Sequence, residues 1–236
     1  MVLAPMPLEM DAVTAAFKLS PSSDAKGSPW TGRIGNSRVT AIHIGMGPPL
    51  TRVATSRLFD GVSEEFPPVD HVMVAGICGG LDPDIEVGTM INPEHVVDFT
   101  SGTSYRHIPI GSAPQSGKLM TTEGVTLDTG LSADFLAMGC IAVDMETAAV
   151  AEVCEANGCP WSAFRCIGDR HFDGLLDERI FAATNPDGSG NSAEIERLIA
   201  SDPTLLAKLQ QLGRDSAYAA RMAAEAAAQA CIELAG

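Results

Sequence analysis

Three acidic side chains occupy positions from which a carboxyl group can act as an acid or a base. Glu9 falls near the start of a helix predicted over residues 10–17, Glu146 opens a second predicted helix, and Asp169 ends a predicted strand. A helix N-terminus favours an ionised carboxylate, so Glu9 suits a general base, although a first-turn acid that only stabilises its helix explains it equally well. Because ligands bind at strand ends in open α/β sheets, we expect Glu146 and Asp169 to share a site.

The elements that must position these acids form a strand–helix–strand pattern. A short β-branched strand over residues 141–143 precedes Glu146, and apolar residues recur at helical spacing over residues 147–155. A second predicted strand over residues 161–167 is apolar except for Arg165 and leads to the third acid. The pattern predicts an α/β fold.

Four short motifs follow one another along the chain. They are Met6-Pro7-Leu8-Glu9, residues 75–81 with Val87-Gly88-Thr89 after them, Asp144-Met145-Glu146, and Arg165-Cys166-Ile167-Gly168-Asp169. In this order they resemble the signatures of the nucleoside phosphorylase and nucleosidase superfamily, most of all those of 5'-methylthioadenosine/S-adenosylhomocysteine nucleosidase. The resemblance covers about residues 1–172.

This resemblance implies a three-layer αβα fold with a central mixed, twisted and partly barrel-like sheet. It also implies cleavage of the N-ribosidic bond of a purine nucleoside, with Asp169 as the acid at purine N7, Glu9 as the base that activates water, and Glu146 as acceptor for the ribose hydroxyls. The further substrate-binding residues that it implies are Met145, Ile77, Gly79, Val125, Thr126 and Gly47. The family's role in methionine salvage and its assembly as homodimers or larger oligomers are implied for this chain as well.

Two departures from the family pattern concern the base end of this site. Val125 and Thr126 stand where the family has an aromatic residue. The loss of this stacking ring leaves the identity of the purine base undetermined. Gly168 replaces a serine that supports the acid, so how the pKa of Asp169 is raised for proton donation is also open.

The choice between hydrolysis and phosphorolysis depends on a cation for phosphate. Residues 75–81 contain no arginine, which favours hydrolysis, while Arg52, Arg170 and Arg179 remain candidate phosphate ligands or supports for Asp169. A purine nucleoside phosphorylase and a non-catalytic nucleoside-binding protein on the same fold are the alternatives.

Composition excludes several other classes of function. The 236 residues suit a single domain over residues 1–236, and a formal charge of −15 disfavours nucleic acid as a partner. The start of the chain lacks the pattern of a signal peptide, so we predict a cytoplasmic protein without a membrane partner. The six cysteines are predicted to be buried free thiols and His43 a core residue. No metal or other cofactor is predicted, because Asp169, His171 and Asp173 lack a further histidine cluster to complete a shell.

Several local predictions concern turns and helix ends. We expect a sharp bend at residues 77–81 after a strand over 70–76, and an active-site flap or irregular loop over residues 101–117. Residues 182–192 are predicted to be a flexible insertion, followed by a helix capped by Ser192. Gly213 is predicted to break the helix that starts after Pro203.

Overall fold

A computed structural model of the chain describes residues 1–25, 27–60, 68–110 and 114–234. Within these residues the strands are β1 (Val2–Ala4), β2 (Ser20–Pro21), β3 (Trp30–Ile34), β4 (Ser37–His43), β5 (Val72–Gly80), β6 (Met90–Ile91), β7 (His95–Asp98), β8 (Ser104–Tyr105), β9 (Lys118–Thr121), β10 (Cys140–Asp144) and β11 (Trp161–Arg170). The helices are α1 (Pro7–Phe17), α2 (Pro48–Ser56), α3 (Thr129–Ala137), α4 (Thr147–Ala156), α5 (Glu178–Ala182), α6 (Ser192–Ser201) and α7 (Leu205–Leu234).

The strands of the described residues form one mixed sheet that branches at β5. Its main order is β2-β3-β4-β1-β5-β10-β9-β7-β8, and β11 pairs with β5 in parallel and with β6 in antiparallel. Strand β5 pairs with β1 through Met73 and Val74 and with β10 through Gly79 and Gly80. This branching brings the ends of β1, β10 and β11 around the glycine-rich end of β5.

Alternating residues of the central strands fill two cores, one on each face of the sheet. Val2 and Met73 pack with apolar residues of α1 and α7, whereas Leu3 and Val74 pack with those of α4. Side chains of successive strand residues point to opposite faces, so β1 and β5 bury both. The helices on the two faces complete the predicted three-layer αβα architecture.

The bend predicted at residues 77–81 is wrong, because β5 continues through Gly80. The glycines serve close packing instead of a turn. A Cβ atom on Gly76 would overlap Glu9 Oε1, and one on Gly80 would lie 2.7 Å from Ile85 Cγ2. Only a residue without a side chain fits where a buried carboxylate lies directly against the strand.

Other predictions about element boundaries are corrected in the C-terminal third of the chain. Helix α7 runs unbroken through Gly213, since one glycine costs about 1 kcal/mol and packing against the sheet outweighs it. Helix α6 is capped by the side chain of Asn191, which accepts from Glu194 N, and Ser192 is the first helical residue. Helices α3 and α5 were not predicted.

Two further expectations concern a loop and the cysteines. The segment 101–117 contains the short strand β8, and residues 111–113 of the predicted flap lie outside the described residues. All six cysteines are buried and free, as predicted. Over the described ranges, no helix has both the length and the apolar character needed to cross a membrane.

Candidate active site

Glu9 enters the site from the first turn of α1, where Pro7 begins the helix and Glu9 is its third residue. Its Oε2 accepts a hydrogen bond from Met6 N at 2.7 Å, which closes a capping box, and its Oε1 accepts one from Ile77 N at 2.6 Å. The side chain is buried. The carboxyl group therefore joins the N-terminus of α1 to the middle of β5.

Burial changes the expected ionisation of Glu9. It raises the pKa of this carboxyl to about 8, because the loss of hydration outweighs Arg165 and the two backbone donors, and the nearby Glu146 raises it further. Burial thus opposes the ionised form that the helix N-terminus favours. A group with this pKa holds a proton at neutral pH and is a strong base once it has lost it.

Arg165 is the centre of the buried charge network, and it was not predicted to belong to the site. Its Nη2 lies 2.9 Å from Asp144 Oδ2 and 3.1 Å from Glu146 Oε2, and its Nη1 lies 3.7 Å from Glu9 Oε1. Its Nε donates to Thr147 Oγ1 at 3.0 Å. The guanidinium is completely buried and is shared by three carboxyl groups.

Asp144 is the second component that the sequence reasoning left without a role. Thr121 Oγ1 donates to its Oδ1 at 2.6 Å, and Thr147 donates to its Oδ2 from both the hydroxyl and the backbone N–H. With Arg165 on the same oxygen, the Asp144 carboxylate is fully surrounded by donors. The signal that could have revealed this network is a lone arginine in an apolar strand, since a buried charge requires partners.

Glu146 is the N-cap residue of α4 and is also buried. Its Oε2 faces Arg165, and its Oε1 accepts from Gly47 N at 2.9 Å. Burial raises its pKa to about 7, with Asp144 adding to the rise and Arg165 opposing it. The Met145 methyl group would lie 3.9 Å from a Cβ atom placed on Gly47, so these two predicted substrate-binding residues lie side by side.

Asp169 lies near the end of β11, opposite Gly79 of β5. A Cβ atom on Gly79 would lie 3.1 Å from Asp169 Oδ1, so the glycine leaves room for the carboxyl group. Burial raises the pKa of Asp169 to about 7, and the neighbouring charge of Asp173 raises it further. In the described part of the chain, no hydrogen-bond donor reaches the Asp169 carboxyl.

The remaining predicted substrate-binding residues lie around these acids. Ile77 contributes its backbone, since its N–H donates to Glu9 and its carbonyl accepts from Arg165 Nη1 at 3.3 Å. Val125 and Thr126 follow β9 in a loop whose Glu123 carbonyl would lie 3.9 Å from a Cβ atom on Gly47. The structure thus brings this loop to Gly47, next to the Glu146 carboxylate.

The arginines considered as phosphate ligands are engaged with acids at the surface. Arg52 pairs with Asp98 and Glu152, Arg170 with Asp173 and Glu86, and Arg179 with Asp177 and Asp202. Of these three arginines, only Arg170 has a carboxylate partner, Asp173, that also raises the pKa of Asp169.

Two histidines differ from what the sequence suggested or left open. His43 is exposed at the end of β4, where its Nε2 lies 2.8 Å from Asp187 O, so the prediction of a core residue is wrong. His171, weighed as a metal ligand, has its Nδ1 3.2 Å from Ser132 Oγ. The described residues contain no group of three His, Cys, Asp or Glu side chains arranged to hold a metal ion.

Comparison with known proteins places this arrangement in a family. The family model described as the phosphorylase superfamily matches residues 1–118 and 110–201. Among curated proteins, none matches the chain in sequence.

Solved structures share the fold at low sequence identity. A 5'-methylthioadenosine/S-adenosylhomocysteine nucleosidase from S. pneumoniae, bound to a transition-state inhibitor, superimposes with a TM-score of 0.70 at 16% identity, over 99% of this chain and 98% of that one. A mutant of the Helicobacter pylori nucleosidase with 5'-methylthioadenosine in its active site gives 0.68 at 15%, over 99% and 97%. The futalosine hydrolase of Helicobacter pylori gives 0.69 at 14%, over 99% and 96%. The chain therefore belongs to the phosphorylase superfamily, which confirms the predicted fold and the predicted enzyme class, a nucleosidase or nucleoside phosphorylase.

Proposed function

We propose that the protein hydrolyses the N-ribosidic bond of a purine nucleoside. The observation that carries this proposal is the pairing of Glu9 and Glu146 through Arg165 on one side of β5, with Asp169 at the end of the adjacent β11. Cleavage of this bond needs an acid at the leaving base, a base for the attacking water and acceptors for the sugar hydroxyls. The arrangement supplies one carboxyl group for each task.

Asp169 is the proposed acid. Its raised pKa of about 7 lets it carry a proton at neutral pH, which it donates to purine N7 as the C–N bond breaks. The base then leaves as a neutral molecule instead of an anion. An acid without a competing hydrogen-bond partner transfers its proton to the substrate more readily than one engaged within the protein.

Glu9 is the proposed base that takes a proton from water as the water oxygen attacks C1' of the sugar. Its oxygens are held by Met6 N and Ile77 N, so the carboxylate is oriented by backbone that cannot rotate away. The anionic form also favours the positive charge that develops on the sugar ring in the transition state.

Glu146 is the proposed acceptor for the vicinal ribose hydroxyls. An ionised carboxylate only accepts hydrogen bonds and the hydroxyls donate them. Gly47 N and Arg165 Nη2 each hold one of its oxygens, which fixes its plane while further lone pairs remain. Met145, next to Gly47, is proposed to contact the sugar, and Val125, Thr126 and Gly79 to line the base end.

Hydrolysis is favoured over phosphorolysis because the cation in the network is saturated. Arg165 spends its donors on Asp144, Glu146, Thr147 and the Ile77 carbonyl, and it lies beside Glu9. A phosphate dianion here would meet three carboxyl groups and would need a free cationic donor. A water molecule needs only the base.

The substrate class that we propose includes 5'-methylthioadenosine and related purine nucleosides. Support comes from the four sequence motifs and from the fold shared with nucleosidases, one of which holds 5'-methylthioadenosine and another a transition-state inhibitor. Futalosine hydrolase, another hydrolase with this fold, shows that the fold alone does not select the base. The homodimer implied by the resemblance and the cytoplasmic location expected from the start of the chain stay predictions.

The test is chromatographic detection of free base from 5'-methylthioadenosine, S-adenosylhomocysteine, adenosine, inosine and guanosine, each with and without phosphate. We expect base release without phosphate, and its loss in Asp169→Asn. Release that requires phosphate would establish the phosphorylase alternative. If no nucleoside is cleaved but one raises the melting temperature, the protein is a nucleoside-binding protein.

A further inference from the structure

Residues 183–191 form a compact hairpin, named here the 183–191 hairpin, instead of the flexible insertion that the sequence predicts. Asn191 N donates to Ala183 O at 2.8 Å, Asn185 N donates to Ser189 O at 2.8 Å, and Thr184 and Gly190 form a β-bridge between them. These bonds hold the two arms of the hairpin together. Its tip therefore has a defined conformation.

The tip of the 183–191 hairpin docks onto the segment that follows β4. Met46 N donates to Pro186 O at 3.0 Å, and His43 Nε2 lies 2.8 Å from Asp187 O. Gly188 has a φ of 81° and lies so close to Met6 that a Cβ atom on it would overlap the Met6 side chain. Glycine is thus required at this contact by both conformation and space.

The hairpin tip thus docks beside the backbone N–H groups that hold the carboxyl groups of Glu9 and Glu146. Met6 N donates to Glu9, and Gly47, next to Met46, donates to Glu146. Asp169 has different neighbours, Gly79 and Asp173. The hairpin therefore lies at the sugar end of the candidate site, away from the acid that would face the base.

We propose that the 183–191 hairpin forms the wall around the 5' position of the substrate and restricts the enzyme to purine nucleosides with a small, uncharged 5' substituent. This inference rests on the proposed function. With Glu146 on the ribose hydroxyls and Asp169 at the base, the 5' carbon faces the side of the site covered by Met6, Met46 and the hairpin tip.

The chemistry of the hairpin supports this selection. Its residues Thr184, Asn185, Asp187 and Ser189 are uncharged or acidic, and it contains no lysine or arginine. A 5' substituent that ends in an amino acid brings both a carboxylate and an ammonium group, and the hairpin has no cationic side chain for the carboxylate when it leaves water. The docked tip also covers Met6 and Met46 on this side of the site.

The experiment compares the wild type with a variant in which residues 184–190 are replaced by two glycines. The Ala183–Asn191 hydrogen bond shows that these ends are close enough for so short a link. His43→Ala is a second variant, which removes one of the two hydrogen bonds that hold the tip on its docking site without shortening the chain. Arg33→Ala is the matched control, because this side chain is also exposed and also bonds a backbone carbonyl, that of Asn36, in a different hairpin.

For each protein we would measure kcat/KM and dissociation constants for adenosine, 5'-methylthioadenosine and S-adenosylhomocysteine. In the wild type we expect the two nucleosides with small 5' groups to be preferred at least about tenfold over S-adenosylhomocysteine. The glycine link should raise the relative kcat/KM for S-adenosylhomocysteine by about tenfold, His43→Ala should raise it about threefold, and Arg33→Ala should leave it unchanged.

Equal ratios in all four proteins, or S-adenosylhomocysteine as the best wild-type substrate, would overturn the inference while leaving the proposed hydrolysis intact. If no nucleoside is cleaved, the dissociation constants give the same ratios and decide the role of the hairpin separately from catalysis. If no nucleoside binds, the proposed function and this inference fail together.

Discussion

At the sugar end of the candidate site, each carboxyl group is tied to fixed donors, whereas at the base end Asp169 has none within the described residues. Glu9 is held by two backbone N–H groups, and Glu146 by Gly47 N and Arg165. Asp169 has only the nearby charge of Asp173 and the space left by Gly79. Both ends have raised carboxyl pKa values caused mainly by burial.

The contrast matches two kinds of chemical work. Groups that must hold a substrate and a water molecule in one geometry benefit from rigid partners, because orientation is their contribution. A group that must give up a proton benefits from having no partner that stabilises its charged form beforehand. Fixed donors therefore serve orientation at the sugar end, and burial without such donors keeps Asp169 protonated at the base end.

The largest expected effect comes from removing the cation that joins the sugar end. In Arg165→Met, three buried carboxyl groups lose their shared partner, and we expect a loss of about 3–5 kcal/mol in the free energy of unfolding at pH 7. Carboxyl groups with raised folded pKa values stabilise the fold less as pH rises toward those values, so the loss should be greater at pH 8 than at pH 5. Chemical denaturation at both pH values measures it.

Arg52→Met is the matched control for this prediction. Arg52 also touches two carboxylates, those of the buried Asp98 and the exposed Glu152, but its own guanidinium lies at the surface. Exposed ion pairs contribute about 0–1 kcal/mol, so this variant should unfold close to the wild type. Equal losses for the two arginine variants would mean that the buried network does not hold the sugar end together.

The next effect concerns the base end, where Asp169→Asn should reduce kcat by about 10²–10⁴-fold while leaving the fold intact. An amide cannot donate the proton that purine N7 requires, yet it fills the same space and avoids a buried charge. We expect KM to change little, because the residue acts only as the bond breaks. Asp134→Asn, an exposed change of the same type on α3, should have wild-type kinetics.

A marked rise in KM with unchanged kcat for Asp169→Asn would assign the residue to ground-state binding and remove the proposed difference between the two ends. Thermal unfolding of both asparagine variants, measured under the same conditions, separates this result from a loss of folded protein.

The pH dependence of kcat/KM should show both ends at once. Glu9 must be ionised, which requires a pH above its pKa of about 8, and Asp169 must be protonated, which requires a pH below about 7. The required combination is therefore a minor state of the free enzyme, most populated between these two pH values. We therefore expect a narrow bell-shaped profile.

Asp173→Asn sharpens the assignment of the alkaline limb. Removing the Asp173 charge lowers the pKa of Asp169, so the fall in rate should begin at a lower pH, while the acid limb stays in place. A shift of the acid limb instead would reverse the roles of the two carboxyl groups.

The sequence was informative about the acids and less so about what surrounds them. Glu9, Glu146 and Asp169 were predicted because each follows a boundary between recognisable elements, and such boundaries are local features of the sequence. Arg165 and Asp144 were missed as site residues because their partners lie on several elements that are far apart in sequence and that only the three-dimensional fold brings together.

The glycines of β5 illustrate the same limit in the fold. Adjacent glycines commonly indicate a turn, and the pattern at residues 79–80 was interpreted as one. In the structure they remain in the strand, and side chains from β10, β11 and the loop after β5 occupy the space beside them. Likewise Glu9 has a raised pKa because the surrounding fold buries it, which the position of Glu9 in α1 does not reveal.

The smallest expected effect comes from returning serine to the position of Gly168. A Cβ atom there would lie 3.2 Å from Ile77 Cβ, so Ile77 must shift by a few tenths of an ångström. Ile77 holds Glu9 through its N–H and Arg165 through its carbonyl, so the shift connects the two ends of the site. We expect Gly168→Ser to cost about 1 kcal/mol of stability and to lower kcat/KM a few-fold.

The matched control is Gly213→Ser in α7, where an added Cβ atom meets nothing within 4 Å. If the serine hydroxyl at residue 168 instead donates to Asp169, the pKa of that acid falls and the alkaline limb moves to lower pH. An unchanged pH profile with reduced kcat/KM supports transmission through Ile77, whereas a displaced alkaline limb shows that the base end accepts a fixed donor after all. The second result would mean that Asp169 is unpartnered because this chain has glycine at residue 168, and that the contrast between the two ends depends on one side chain.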